Sequence, residues 1–163
     1  MIKSDTVLSE IRKNGVTHVV GVPDNGSRAL YQKLWADPNI HVIPVTREGE
    51  AFALASGLFL GGKKPMVLIQ NTGFFESGDA FRGTVFNMAI PLVMIIGYRG
   101  YETMSGTGAV DTAATFFEPT LEAWKVPYSM MCSSEECGLI SEAFYKCESI
   151  SLPVAVIYPG EID

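Results

Sequence analysis

Glu48 is the residue whose position in this sequence most favours a chemical role. The apolar run Val42 to Val45 predicts a buried strand, and Glu48 follows in the first turn of the next helix, which Thr46 can cap. A carboxyl group at such a strand-to-helix junction can share a proton with a bound ligand. It can equally do no more than complement the helix dipole, as Glu50 does. Glu48 alone leaves both interpretations open.

Further polar residues follow the predicted strands. Asp24 lies in the turn after the first strand, where it can form an Asx turn with Gly26. The segment Asn71-Thr72-Gly73 predicts a turn at the carboxyl end of another strand, where open parallel sheets bind ligands. Arg47 and Arg99 can bind an anionic substrate through charge-assisted hydrogen bonds, or can form surface ion pairs.

These residues are positioned by strands and helices that alternate along the whole chain. The predicted strands are Thr17–Val22, Val42–Val45, Met66–Gln70, Pro91–Gly97, Val126–Met131 and Pro153–Tyr158. The predicted helices are Ser4–Asn14, Ser27–Trp35, the helix from Thr46 to the stop at Gly61-Gly62, Ser77–Ala89, Asp111–Trp124 and Ser133–Ser149, with a long loop over Tyr98–Val110. The alternation predicts an α/β, doubly wound fold, with about six parallel strands and helices on both faces.

Length and composition narrow the class of protein. At 163 residues and 47% apolar composition the chain is expected to form one domain with a substantial core. The net charge of -6 argues against nucleic-acid binding, and no apolar run is long enough to span a membrane. Cys132, Cys137 and Cys147 show no metal or redox spacing and fit reduced thiols, so a cytoplasmic protein is expected. Two isolated histidines, His18 and His41, predict no metal site.

An ordered set of motifs around Glu48 resembles the pyrimidine-binding (PYR) domain of thiamine-diphosphate enzymes. The motifs are Thr46-Arg47-Glu48 with Gly57, Gly61-Gly62-Lys63-Lys64-Pro65, Gln70-Asn71-Thr72-Gly73, Ile90-Pro91-Leu92 to Ile96, and Arg99-Gly100. Gly21-Val22-Pro23-Asp24 is similar to the first loop of phosphonopyruvate decarboxylases. Val45 to Glu48 and the Gly-Gly-Lys-Lys-Pro segment look more like the α subunit of sulfopyruvate decarboxylases. The resemblance extends from about Gly15 to Tyr158.

The resemblance implies roles for the polar residues. In this family the glutamate that matches Glu48 hydrogen-bonds the aminopyrimidine ring of thiamine diphosphate and so activates the cofactor. The turn of Asn71, Thr72 and Gly73 would approach the cofactor, with Gly73 permitting close backbone contact. Asp24 would serve as an acid or base. The implied reaction is decarboxylation of a small anionic 2-oxo acid, for which Arg47 and Arg99 are candidate binding residues.

The resemblance also implies a partner. Enzymes of this family need a second domain, the PP domain, which binds the diphosphate and Mg²⁺. Here Gly78-Asp79-Ala80 resembles the start of the magnesium motif, but no asparagine occurs after Asn87 to complete it. We therefore expect the PP domain and its Mg²⁺ on a β subunit, in an α2β2 or larger assembly. Ligand pockets also favour domain interfaces.

One segment departs from both related families. Phe74-Phe75-Glu76-Ser77 stands where the relatives continue with Leu-Gly-Asn, which allows a bulkier or less polar 2-oxo acid. Two alternatives to decarboxylation stay open. The chain can belong to a thiamine-diphosphate carboligase or synthase, or it can be a non-catalytic α/β module that binds a partner.

Overall fold

Six parallel strands form the single sheet of the computed structural model, which describes all 163 residues. The strands are β1 His18–Gly21, β2 His41–Pro44, β3 Pro65–Gln70, β4 Val93–Tyr98, β5 Tyr128–Met130 and β6 Val154–Pro159. Their order across the sheet is β2-β1-β3-β4-β6-β5. Every neighbouring pair is parallel. The prediction of a doubly wound parallel sheet is confirmed.

Helices connect the strands. They are α1 Ser4–Lys13, α2 Arg28–Ala36, α3 Glu48–Leu60, α4 Asn71–Glu76, α5 Gly78–Ala80, α6 Tyr101–Thr107, α7 Thr112–Thr115, α8 Phe117–Ala123 and α9 Leu139–Ile150. A π-helix, Phe81–Phe86, continues from α5, and a short 3₁₀ helix, Ser134–Glu136, precedes α9. None of these helices has the length and apolar composition that crossing a membrane requires.

The sheet separates two hydrophobic cores. Side chains of α1, α2 and α9 pack on one face, against residues such as Met66 and Leu68 of β3. Side chains of α3, α4, the π-helix and α8 pack on the other face, against Val67 and Ile69 of the same strand. Alternate residues of a strand point to opposite faces, so a strand buried on both sides is a nearly continuous apolar run, as β4 is and as β3 is up to Gln70 at its end.

Several predicted elements differ from the observed ones. The strand predicted as buried over Val42–Val45 lies at the sheet edge and is only half-buried, because an edge strand has a single neighbour. The predicted turn Asn71-Thr72-Gly73 is instead the first turn of α4. The predicted loop Tyr98–Val110 contains the helix α6, which is bounded by Gly100 and Gly108 in left-handed conformations. Glycines that predict a loop therefore mark the two ends of a helix here.

Three predicted helices are interrupted. The helix predicted over Ser77–Ala89 divides into α5 and the π-helix, and the one over Asp111–Trp124 divides into α7 and α8. The helix predicted over Ser133–Ser149 begins as a 3₁₀ turn before α9. Asp111 is confirmed as a helix cap, since its carboxylate accepts the amide of Ala113 at 2.9 Å.

Candidate functional site

The chain reverses its direction of winding between β1 and β3. The sheet grows from β1 outward to β2 on one side, and from β3 to β4 and β6 on the other. Crevices at such a switch point, outside the carboxyl ends of the strands, are where open α/β sheets bind ligands. Asp24 follows β1 and Gln70 ends β3, so both residues lie at this crevice.

A chain of hydrogen bonds crosses the switch point. The Thr72 hydroxyl donates to Gln70 Oε1 at 3.0 Å, and Gln70 Nε2 donates to Asp24 Oδ2 at 3.0 Å. The other oxygen of Asp24 accepts both the amide and the hydroxyl of Ser27. The Asx turn predicted between Asp24 and Gly26 does not form, and the Asp24 carboxylate binds Ser27 instead. Three donors hold the Asp24 carboxylate in one orientation, and two of the predicted site residues are joined through Gln70.

Asn71 fastens α4 to the neighbouring elements. Its side chain is fully buried, and Nδ2 donates to the carbonyl oxygens of Arg99 at 3.1 Å and Ala113 at 2.9 Å. Its Oδ1 is buried and has no hydrogen-bond partner. A buried acceptor without a partner costs stability, so such groups in a native fold call for an explanation.

Glu48 and Gly73 are in direct contact. Glu48 is the first residue of α3, and its half-buried side chain fills the space in which a Cβ atom of Gly73 would lie. The carboxylate of Glu48 makes no hydrogen bond or ion pair with any residue of the chain. Glu50, in contrast, accepts the hydroxyl and amide of Thr46 and the amide of Arg47. Glu50 thus caps the helix. Thr46, which was predicted to cap it, instead donates its hydroxyl and amide to the Glu50 carboxylate.

Arg47 pairs with Glu76. Arg47 Nε lies 2.9 Å from Glu76 Oε1, and the Gly49 amide donates to Glu76 Oε2 at 3.0 Å. The Arg47 hydrogen bond, followed by that of Gly49, lowers the pKa of the Glu76 carboxyl. The Arg47 side chain is 72% exposed, so the pair is a surface ion pair at the start of α3. Its predicted role in binding substrate stays a prediction.

A polar cavity of about 250 Å³ opens at the carboxyl edge of the sheet. Its lining includes Asp24, Gln70, Arg99 and Tyr158. The Arg99 side chain is exposed and has no ion-pair partner in the chain, and its role in binding substrate stays a prediction. Glu48, Asn71, Thr72 and Gly73 do not line this cavity. The predicted residues therefore form two groups, which the Thr72–Gln70–Asp24 hydrogen bonds connect.

The segment Phe74-Phe75-Glu76-Ser77, which differs from the related families, does not line that cavity. Phe74 is fully buried in an aromatic cluster with Phe52, Phe81 and Trp124. Its bulk therefore serves the core beneath α4 rather than the substrate pocket.

Sequence reasoning assigned no role to Gln70, Glu76 or Tyr158. Gln70 carries a usable signal, since it is the single polar residue at the end of an otherwise apolar central strand. Tyr158 and Glu76 carry none, because their contacts come from residues distant in sequence: Tyr158 touches Gly97, and Glu76 binds Arg47. No cluster of three or more histidine, cysteine, aspartate or glutamate side chains is placed to hold a metal ion.

Comparison with known proteins identifies relatives of this chain. Residues 2–118 match the family described as thiamine pyrophosphate enzyme, N-terminal TPP binding domain. Over 158 residues the chain is 32% identical to the sulfopyruvate decarboxylase subunit alpha of Methanococcus maripaludis, covering 96% of this chain and 94% of that subunit. It is 33% identical over 100 residues to the phosphonopyruvate decarboxylase of Streptomyces viridochromogenes, covering 61% of this chain and 25% of that enzyme.

Solved structures share the fold. The benzoylformate decarboxylase of Polynucleobacter necessarius superposes with a TM-score of 0.77 at 17% identity, covering 98% of this chain and 30% of that one. At this identity the likeness concerns the fold alone. This chain spans about a third of the length of that solved enzyme.

Proposed function

The chain belongs to the family of thiamine pyrophosphate enzyme N-terminal TPP-binding domains, and from that membership we propose that it is the alpha subunit of a thiamine-diphosphate-dependent 2-oxo acid decarboxylase of the sulfopyruvate decarboxylase type. The supporting relative is a subunit alpha that this chain matches over nearly its whole length. As a decarboxylase, the enzyme is a carbon–carbon lyase.

The observation that carries the proposal is the carboxylate of Glu48. It stands at the first residue of α3, is held against Gly73, and has no partner in the chain. A structural carboxylate at this position would be expected to bind backbone amides of the helix, as Glu50 and Glu76 do. A carboxylate that is positioned but unpaired is suited to exchange a hydrogen bond or a proton with a ligand.

The residues present fit thiamine diphosphate. Glu48 would hold its aminopyrimidine ring, and the buried Oδ1 of Asn71 leaves an acceptor without a partner next to Thr72 and Gly73 at the start of α4. When bound, the cofactor supplies a carbon nucleophile that attacks the 2-oxo group and then accepts the electron pair left by carbon dioxide. Asp24, fixed by Gln70 and Ser27, would act as acid or base at the reacting carbons.

The substrate is a small 2-oxo acid with a second acidic group. Arg99, unpaired at the rim of the 250 Å³ cavity, would bind an anionic oxygen there. Arg47 is a second candidate, provided that the substrate or a partner displaces Glu76. The buried position of Phe74 argues against the bulkier substrate that the departing segment allowed.

The proposal requires a second polypeptide. The relatives matched over most of their length carry the designation subunit alpha, which implies a partner subunit. That partner would be a β subunit with the PP domain, holding the diphosphate through Mg²⁺, and the assembly would be α2β2 or larger. A cytoplasmic location stays a prediction from the cysteines, which are all free.

The proposal is tested by titrating thiamine diphosphate and Mg²⁺ into this chain alone and into its complex with the partner chain. We expect saturable binding in the complex only. In that complex, Glu48→Gln should reduce decarboxylation of sulfopyruvate by at least about 100-fold, with the complex intact. A Glu50→Gln variant, which loses only the cap of α3, is the matched control and should retain most activity. Full activity of Glu48→Gln would contradict the proposed role of Glu48 in activating the cofactor. A stable complex that binds no cofactor would favour a non-catalytic module.

A further inference from the structure

Tyr158 carries a buried hydroxyl group without a partner. It lies in β6, its side chain is fully buried, and no atom of the chain forms a hydrogen bond with its hydroxyl. The Ser27 hydroxyl lies near enough to lower the pKa of Tyr158 as a hydrogen-bonding neighbour would, but no hydrogen bond of acceptable distance and angle joins the two hydroxyls. A hydroxyl buried without a partner destabilises the fold by about 1–3 kcal/mol.

Two glycines make room for this hydroxyl. A Cβ atom on Gly97 would lie 3.0 Å from the Tyr158 oxygen, and one on Gly26 would lie 3.7 Å from it. The hydroxyl therefore reaches the carboxyl edge of the sheet, where Tyr158 lines the 250 Å³ cavity together with Asp24 and Arg99.

The chemistry of the group is that of a neutral donor. Burial, and then the negative charge of Asp24, raise the pKa of Tyr158 well above its usual range, so the hydroxyl is protonated at neutral pH. Asp24 accepts hydrogen bonds from Gln70 and Ser27, and no hydrogen bond joins it to the Tyr158 hydroxyl. The cavity lining also carries the carboxylates of Asp24, Glu102 and Glu161, so an anionic oxygen can bind there only beside the donors, among them the Tyr158 hydroxyl and the unpaired Arg99.

We infer that Tyr158 is a specificity-determining residue, whose hydroxyl donates a hydrogen bond to the second acidic group of the 2-oxo acid while Arg99 pairs with the charge of that group. This inference rests on the proposed function and deepens it. It assigns the polar cavity to the acidic substituent of the substrate, and it explains why the fold tolerates an unsatisfied hydroxyl.

The test replaces Tyr158 with phenylalanine and uses Tyr31→Phe as the matched control. Tyr31 is also a buried tyrosine on the same face of the sheet, but its hydroxyl donates to the Leu68 carbonyl at 2.9 Å. Tyr158→Phe should leave the melting temperature of the chain unchanged or higher, whereas Tyr31→Phe should lower it by about 2–4 °C.

In the complex with the partner chain, Tyr158→Phe should raise the KM for sulfopyruvate about tenfold or more, with a smaller effect on kcat. Its kcat/KM for pyruvate, which lacks the second acidic group, should stay near the wild-type value. Tyr31→Phe should change neither constant. The pair of readouts separates a binding role from a structural one, because a structural hydroxyl would affect stability first.

Three results would overturn the inference while leaving the proposed function standing: a melting temperature of Tyr158→Phe lowered as in Tyr31→Phe, an unchanged KM for sulfopyruvate, or equal losses with sulfopyruvate and pyruvate. A complex that binds cofactor but decarboxylates neither substrate would instead overturn the proposed function, and the inference with it.

Discussion

The side chain of Glu48 occupies the volume that a Cβ atom on Gly73 would fill. Glu48 begins α3 and Gly73 lies in α4, so the contact joins two helices that pack against each other. The resemblance implied that Gly73 permits close backbone contact with the cofactor, and that role stays a prediction. In the structure the Glu48 side chain lies over Gly73, so the absence of a side chain at Gly73 sets the position of the carboxylate.

We predict that Gly73→Ala reduces activity without unfolding the chain. The added methyl group would overlap Cγ of Glu48, so the glutamate side chain must turn to another rotamer, while alanine favours the helical conformation of α4. The free energy of unfolding should therefore change by less than about 1 kcal/mol. A displaced carboxylate should lower kcat in the complex by about 100-fold, as misplacement by 1 Å does elsewhere.

The matched control for this variant is Gly138→Ala, which lies before α9 with nothing within 4 Å of the added methyl. Chemical denaturation of the isolated chain and steady-state kinetics of the complex provide the two measurements. Wild-type activity in Gly73→Ala would show that the position of Glu48 does not depend on the glycine.

Gln70 is predicted to act as a positioning residue for Asp24. Its amide is the single link between Asp24 and Thr72, so Gln70→Leu removes the donor to Asp24 Oδ2 and the acceptor of Thr72, while Ser27 still holds Asp24 Oδ1. We expect kcat/KM to fall about tenfold, the equivalent of one hydrogen bond to a charged group. Thr72→Val, which removes only the far donor, should have a smaller effect.

A double-mutant cycle distinguishes positioning from a general loss of structure. If Gln70 acts through Asp24, adding Gln70→Leu to Asp24→Asn should cause little further loss, since the group that Gln70 orients is already gone. Additive losses would mean that Gln70 serves the fold independently of Asp24.

The two arginines should differ in their effect on substrate binding. Arg99 lines the cavity without an ion-pair partner, whereas Arg47 is held by Glu76 outside it. Arg99→Gln should therefore raise the KM for sulfopyruvate about tenfold or more, and Arg47→Gln should change it less than about threefold. Glu76→Gln is the control for Arg47, because it breaks the same pair from the other side. A larger KM for Arg47→Gln than for Arg99→Gln would instead assign the substrate to Arg47.

The sequence predicted the sheet well because its signals are local. Buried parallel strands such as β3 and β4 are continuous apolar runs, and the capping residue Asp111 acts within two positions of itself. The same reasoning placed Glu48 at the start of its helix. The residue type, the strand before it and the helix after it are all adjacent in sequence.

Contacts between distant segments could not be predicted in this way. Gly73 with Glu48, Gly97 with Tyr158, and Arg47 with Glu76 each join segments separated by 25 residues or more in the printed sequence. Glycine is also ambiguous as a local signal. Gly100 and Gly108 predict a loop but lie at the two ends of the helix α6. Gly73 predicts a turn but lies inside the helix α4.

The last prediction concerns stability at alkaline pH, which depends on a carboxylate shared by two tyrosines. The hydroxyls of Tyr98 and Tyr128 donate to the two oxygens of Glu118, at 3.0 Å and 2.7 Å. The bond to Glu118, followed by burial, raises the pKa of Tyr128 from 10.0 to about 12. A raised pKa means that the folded state holds the proton more tightly than the unfolded state. The stabilisation is therefore complete below pH 10 and is lost as the pH rises through 12.

Glu118→Gln should let Tyr128 ionise at lower pH, visible in the ultraviolet absorbance of tyrosinate, and should flatten the fall in unfolding free energy over this interval. Tyr128→Phe should flatten the same fall without a tyrosinate signal of its own, since it removes the titrating hydroxyl. Identical tyrosinate curves for wild type and Glu118→Gln would show that the carboxylate does not control this titration.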